Sequence, residues 1–218
     1  HRADHIMVLT RTDPDAPKHR GISFLLCDMN TPGLTVNPII NMAGDHGFNM
    51  VTFDNVRVPK KNLVGEQNRG WYVGATLLDF ERSGVDYSAG GRRVLEELTD
   101  YAKNSSQNGS LISDNPIMRN RLANLAIEVE VSRLISYNIA WMQGEGLVPN
   151  KESSMGKVVG TELQQHLSET GMQMLGLHGQ LEPGSKYAPL DGRIEHMHLT
   201  NVSETIQAGT SEIQRNII

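Results

Sequence analysis

The sequence contains one cysteine, Cys27, so it can hold neither an internal disulfide framework nor a cysteine-based zinc site, and it suits a reducing compartment. It has no basic excess. A net charge of -5 and a pI near 5.9 argue against a nucleic-acid scaffold. A small phosphate-bearing ligand stays compatible, because a few local cations or helix N-termini suffice for one. No apolar run reaches the length of a membrane span. The first residues carry no secretory-signal pattern. Walker-type loops, nucleophile elbows and dinucleotide fingerprints are also missing. His196 and His198 stand two apart, which on a helix gives no shared face and no metal pattern.

What is present is enough for a folded core: 218 residues, 38% apolar and 21% charged. His1-Arg2-Ala3-Asp4 runs without an initiator Met into His5-Ile6-Met7-Val8-Leu9, which reads as a strand already under way, and Ile213 to Ile218 stops inside a helix-like pattern. Both ends therefore read as cut from a longer chain. Residues 1–65 are strand-like. Gly21 to Cys27 is a short apolar run between Asp13-Pro14-Asp15-Ala16-Pro17 and Thr31-Pro32-Gly33, and Leu34 to Ile40 and Val51 to Val58 read as further strands. From about Arg69 the period becomes helical. Leu77, Leu78, Val85 and Ala89 mark the stripe of a first helix. Met118, Leu122, Leu125, Val129, Ile135, Ile139 and Met142 mark a second, and Met155, Val159, Leu163, Leu167, Thr170 and Met174 a third. Asn115-Pro116 opens the second in the cap-then-proline manner. The expected fold is mixed and mainly α: a partial antiparallel β-domain (residues 1–65), then an antiparallel four-helix bundle (66–218). Asn104 to Ser110 reads as a flexible link.

Within this frame Glu81 lies on the first helical stripe. Its helical neighbours three and four away are Leu77, Leu78, Gly84 and Val85, none of them basic. A carboxylate on an apolar face without a local partner has a raised pKa, as a general base against a carbon acid requires. The other reading is a stripe-edge Glu paired with a residue distant in sequence. Gln173-Met174-Leu175-Gly176-Leu177-His178-Gly179 follows a helix, and its glycines either cap that helix or let the backbone approach a pyrophosphate. Ala208-Gly209-Thr210-Ser211-Glu212 resembles a capping box, either an ordinary helix start or an amide cluster for an anion.

Taken together, several segments resemble the acyl-CoA dehydrogenase family: Ala3-Asp4-His5-Ile6; Gly21-Ile22-Ser23-Phe24 through Thr31-Pro32-Gly33-Leu34; Phe53-Asp54-Asn55-Val56-Arg57-Val58-Pro59; Leu63-Val64-Gly65-Glu66 with Gly70-Trp71; Asp79-Phe80-Glu81-Arg82; and Ile206 to Arg215. The resemblance runs nearly the whole chain in order. It implies a full protein with an N-terminal helical domain, absent here, a middle β-domain and a C-terminal bundle. It also implies FAD between the last two, a homo- or hetero-oligomer, acyl-CoA as substrate, an electron-transferring flavoprotein as electron partner, and a cytoplasmic location, or the mitochondrial matrix in a eukaryote. Many members place the base immediately before the Gly-Thr of the closing signature, where this chain has Ala208. A subgroup similar to isovaleryl-CoA and long-chain dehydrogenases carries it on the first bundle helix, followed by Arg, and Glu81-Arg82 matches that placement. The resemblance then assigns Ala208 N–H to the thioester oxygen, Gln173, Gly176, Gly179, Gly209 and Thr210 to the cofactor, and Arg82 to the substrate.

Three departures stand against the family pattern. The usual Arg-x-x-Phe-Gly segment, which contacts the FAD pyrophosphate of a neighbouring subunit, is replaced by the uncharged stretch Asn104 to Ser110. The second glycine of the later motif is Leu177, and the Arg-Asp pair expected before the closing signature is Leu199-Thr200. Arg119 and Arg121 are candidate substitutes for the missing cation. Competing with an active dehydrogenase are a non-catalytic subunit of a heteromeric one and a flavin oxidase or monooxygenase of the same fold.

Overall fold

The computed structural model describes residues 1–81 and 84–218, with side chains for all of these except residues 79–81. The chain forms two compact units, His1–Glu81 and Arg82–Ile218.

In the first unit β1 (His5–Arg11) pairs antiparallel with β2 (Ile22–Asp28), in register from His5 opposite Asp28 to Arg11 opposite Ile22. β3 (Leu34–Ile39) and β4 (Phe48–Phe53) form a separate antiparallel pair, and the short β5 (Leu63–Val64) adds to β2. The strand expected over 51–58 instead ends at Phe53. Asn55 has φ 50°, a left-handed value that breaks the pleat, and Asp54 N–H is turned back onto the Gly33 carbonyl at 2.8 Å. Gly33 itself has φ 89°, and a Cβ there would lie 2.1 Å from the Asp54 oxygen, so only glycine closes this corner. α1 (Gly70–Glu81) packs on β2. Ser23, Phe24 and Cys27 are buried, while Met7, Leu9, Phe48 and Met50 are each about half exposed.

In the second unit α2 (Val85–Asn104), α3 (Pro116–Gly144) and α4 (Asn150–Leu175) pack pairwise, with α5 (Arg193–Asn201) and α6 (Ser211–Ile217) laid on α4. Between α2 and α3 stands a small hairpin, β6 (Ser106–Gln107) and β7 (Ser110–Leu111). The core joins Val94 and Leu98 of α2, Leu125 and Val129 of α3, Leu163, Leu167 and Met174 of α4, and Ile194 of α5. The α3 stripe read from the sequence supplies Leu125, Val129 and Ile139 as buried residues. Asn115 caps the helix by accepting Ile117 N–H at 2.9 Å, with Pro116 in the first turn. α4 buries Ser153, Ser154, Gly156, Gly160, Thr161, Ser168 and Gly171 besides its apolar stripe, because it is flanked by α2, α3, α5 and α6. Small residues on its other faces let those helices come close.

The first helical stripe is corrected by the structure. Gly84 has φ 72° and ψ 8°, so α2 starts anew at Val85 rather than continuing α1. Leu77, Leu78 and Val85 are exposed, and α2 buries Ser88, Gly91, Val94, Leu98 and Ala102 instead. Helix approach decides the face: a Cβ at Gly91 would already lie 3.1 and 3.3 Å from Leu163 and Leu167 of α4, so a larger residue there would hold α2 away.

Gly171 offers a measurable case of the same effect. A Cβ there would meet Ile194 Cγ2 at 2.7 Å, and Ile194 is fully buried, so it has nowhere to go. Replacing a helical glycine recovers up to about 1 kcal/mol of backbone entropy, but overpacking costs about 1–3 kcal/mol. Gly171→Val, with two further methyl groups and a β-branched helix penalty, is expected to lower stability by roughly 1–3 kcal/mol. Chemical denaturation of the full-length protein checks this, and an unchanged midpoint would show that α5 is not held where it is placed.

Candidate functional site

Glu81 is the last residue of α1; its side chain, like the whole of Arg82, lies outside the described residues. The other sequence-assigned residues belong to two places in the second unit.

The first is the corner after α4. Gln173 is exposed on the last turn of α4. Gly176 ends the helix with φ 58° and ψ -137°, a conformation essentially confined to glycine. The chain then makes a tight turn over Gly176–Gln180, in which Gly179 is buried against Leu175 and Met172. Leu177, at the position of the family's second glycine, points into solvent at 81% exposure. The hairpin β6–β7 comes to this corner: Gln107 Nε2 lies 3.7 Å from the Gly176 Cβ position. The stretch read as flexible is an ordered two-residue hairpin, since Asn108 and Gly109 have φ 53° and 84°. Asn-Gly is the strongest short hairpin signal, because its paired positive φ values match the strand twist. Gln107, Asn108, Ser110, Leu111 and Asp114 line a hollow of about 320 Å³ beside it. Arg121 does not reach this hollow. It faces another one, with Glu128, His166 and Glu169, where His166 Nδ1 and Glu128 Oε2 join α4 to α3 at 2.8 Å.

The second place is the segment between α5 and α6. Ala208 has φ 53° and Gly209 φ 92°. Thr210 caps α6, its hydroxyl accepting Ile213 N–H at 3.3 Å. The capping-box reading is half right. Position N3 is Ile213, which cannot return a hydrogen bond, and Glu212 sits one residue earlier. The Glu212 carboxyl is held below the ordinary carboxylate range, first by its own backbone N–H, then by the Thr210 hydroxyl, with Arg215 and Lys157 adding to the effect. Its stabilisation of the helix start is present above the ordinary carboxylate range and is lost as pH falls through the lowered value. The amides read as an anion cluster are already engaged in part: Ser211 N–H donates to the Thr205 carbonyl at 2.9 Å, and Ile213 N–H to the cap.

Sequence reading missed two residues here. Lys157, only 3% exposed, donates from Nζ to the Glu204 carbonyl at 2.9 Å. Gln214, fully buried, donates from Nε2 to the carbonyls of Ala208 and Gly209, both at 3.3 Å. The signal was available: Lys157 stands on α4 between Met155 and Val159, where a charge is out of place, and a burial that costly needs a partner.

The family model described as "Acyl-CoA dehydrogenase, C-terminal domain" matches residues 68–218. The chain belongs to the acyl-CoA dehydrogenase family. That family is one of oxidoreductases, and among its curated members the acyl-CoA dehydrogenase FadE26 of Mycobacterium tuberculosis is 34% identical over 99% of this chain and 56% of its own length. The acyl-CoA dehydrogenase of Bacillus subtilis is 32% identical, over 99% of this chain and again 56% of its own length. This chain thus spans about half the length of these two relatives. Of solved structures, the ChsE4-ChsE5 complex from Mycobacterium tuberculosis aligns with TM-score 0.87 and 34% identity, over 99% of this chain and 56% of that one. The Tcur3481-Tcur3483 steroid ACAD aligns with TM-score 0.87 and 30% identity, over 98% and 54%.

For a flavin dinucleotide, implied by the family, the corner after α4 offers open backbone, but the hairpin beside it offers no cation. Gly176 gives a bare backbone at the surface and Gln173 an exposed amide, as close approach to a pyrophosphate needs. The hairpin beside them offers neutral donors only, and Asp114 adds a negative charge to its hollow.

Proposed function

We propose that this chain is the C-terminal part of a subunit that contributes the base for α,β-dehydrogenation of an acyl-CoA thioester, in an assembly with fewer flavins than chains. Residues 1–65 are read as the end of the middle β-domain and 66–218 as the C-terminal helical domain. The observation that carries the reading is the pairing of Glu81-Arg82 at one family base position with Ala208, which has no carboxylate, at the other.

Each residue then has a task. The α-hydrogen of a thioester is weakly acidic and leaves only if the carbonyl oxygen is hydrogen-bonded as charge develops on it. Glu81 takes that proton, and Ala208 N–H donates to the oxygen. Arg82 contacts the substrate. Gln173, Gly176, Gly179, Gly209 and Thr210 contact the cofactor. FAD, when bound, accepts the β-hydride, and electrons leave to an electron-transferring flavoprotein. No helix among the described residues is long and apolar enough to cross a membrane. We place the protein in the cytoplasm, or in the mitochondrial matrix of a eukaryote.

The heteromer is supported by the uncharged hairpin, and by similarity to the ChsE4-ChsE5 and Tcur3481-Tcur3483 structures, each named for two different chains. The second is named a steroid ACAD, so steroid-bearing thioesters belong in any substrate panel beside straight acyl chains. The test is turnover by the full-length protein with acyl-CoA and an electron-transferring flavoprotein. Enoyl-CoA should form without hydrogen peroxide. Peroxide equimolar with product would replace this reading with the oxidase one.

A further inference from the structure

We propose that Lys157 and Gln214 are positioning residues for the thioester oxygen site: together they clamp the segment 202–210 so that Ala208 presents its N–H at a fixed angle. This rests on the role given to Ala208 above.

The segment has no regular structure of its own. After α5 it runs through successive turns, with Ser203 N–H bonded to Thr200, Ile206 and Gln207 N–H both to the Ser203 carbonyl, and then the left-handed pair Ala208-Gly209. Such a stretch leaves carbonyls without ladder partners, and buried carbonyls need donors. The neighbouring helices supply them. From α4, Lys157 Nζ reaches the Glu204 carbonyl at 2.9 Å, and Gln165 Nε2 reaches the Asn201 carbonyl at 3.1 Å and Thr205 Oγ1 at 3.2 Å. From α6, the Gln214 amide spans the Ala208 and Gly209 carbonyls.

Two features make this more than packing. Ala208 is not glycine, and a left-handed conformation is unfavourable for an ordinary residue. It persists because something outside the residue holds it. Gln214 contributes to that hold: its Nε2 donates to the carbonyls on both sides of the Gly209 nitrogen, while its Oε1 is buried with no hydrogen-bond partner. An apolar side chain of similar size would avoid that unpaired oxygen, so the amide is present for its donor end. Lys157 has the same logic. Burying an ammonium is costly unless it is compensated, and at 3% exposure Lys157 gives one of its donors to a carbonyl of the irregular segment. Releasing either clamp lets Ala208 relax toward negative φ, which turns its peptide planes and moves its N–H off the oxygen.

The test uses the full-length protein in its native assembly, as Lys157→Met and Gln214→Met. Gln214→Met keeps side-chain length, Lys157→Met is one atom shorter, and both remove the donor. The probe is an acyl-CoA whose β carbon is replaced by sulfur, which has no hydride to give. Exchange of its α-hydrogens with heavy water then reports proton removal alone: the C–H proton passes to the base and a deuteron returns. The infrared carbonyl band of the bound thioester reports the hydrogen bond directly. A misplacement near 1 Å costs about 100-fold, and loss of one oxyanion donor about 100- to 1,000-fold. We expect each variant to exchange roughly 10- to 100-fold more slowly, with probe Kd and flavin content unchanged and the carbonyl band shifted back toward its frequency in water. Either variant that assembles decides the matter. An unmoved band with wild-type exchange overturns the clamp, and so does failure of both variants to assemble, which would make these residues structural. Wild-type protein that exchanges no α-hydrogen would instead defeat the role given to Ala208 and Glu81.

Discussion

Glu81→Gln in the full-length protein should leave flavin content nearly unchanged and slow acyl-CoA reduction of the flavin by about 100- to 10,000-fold. The amide keeps the size and polarity of the carboxylate and removes only its capacity to take a proton. A carbon acid belongs at the upper end of the range, because neither water nor Ala208 can stand in for the base. The same substitution should abolish α-hydrogen exchange into a non-oxidisable thioester while its binding stays within a few-fold, since a group acting only in the transition state contributes little to the ground state. A Gln variant with more than about a tenth of the wild-type rate would move the base elsewhere in the protein.

The second large effect is in stoichiometry. The FAD pyrophosphate is doubly anionic, and a cross-subunit Arg gives it a charge-assisted, often bidentate contact. The hairpin Ser106 to Leu111 contains no Arg or Lys, and Asp114 lines the hollow beside it. Neutral hydrogen bonds are roughly half as strong as charge-assisted ones, and the carboxylate opposes an anion. Arg121 lines a different hollow, with Glu128 and His166. A site completed by this hairpin alone should therefore hold FAD weakly, and a paralogous chain with the usual Arg should complete a tight one. Native mass spectrometry of the purified assembly should find two kinds of chain and about one flavin for every two chains, by the charge argument above. A homotetramer with one tightly held FAD per chain would overturn the heteromer and leave the chemistry intact.

The sequence made the architecture legible where period and punctuation agreed. α3 was readable because Leu125, Val129 and Ile139 recur at helical spacing behind an Asn-Pro start, and the structure buries those residues. The stripe through Leu77, Leu78 and Val85 misled, because Gly84 interrupts it with a left-handed backbone that periodicity does not register, and because the buried face of α2 is built on Ser88 and Gly91. The hairpin at Asn108-Gly109 carried a turn signal that its polar composition disguised as a link. At the candidate site the glycines were legible, since Gly176 and Gly209 sit at positive φ in turns. The clamp was not. Lys157 meets Glu204 across 47 positions, and Gln214 acts backwards onto carbonyls that no side-chain pattern encodes. Hydrogen bonds from distant side chains to irregular backbone become visible only once the helices are placed.

The most direct measurement is an anaerobic titration of the full-length assembly with a panel of acyl-CoA thioesters, straight-chain and steroid-bearing. Flavin absorbance and the mass of the product are followed together. The account predicts that at least one thioester bleaches the flavin and is recovered lighter by two hydrogens, and that Glu81→Gln loses both signals together. Flavin that stays oxidised across the panel, or that bleaches as fast in the variant as in the wild type, would contradict it.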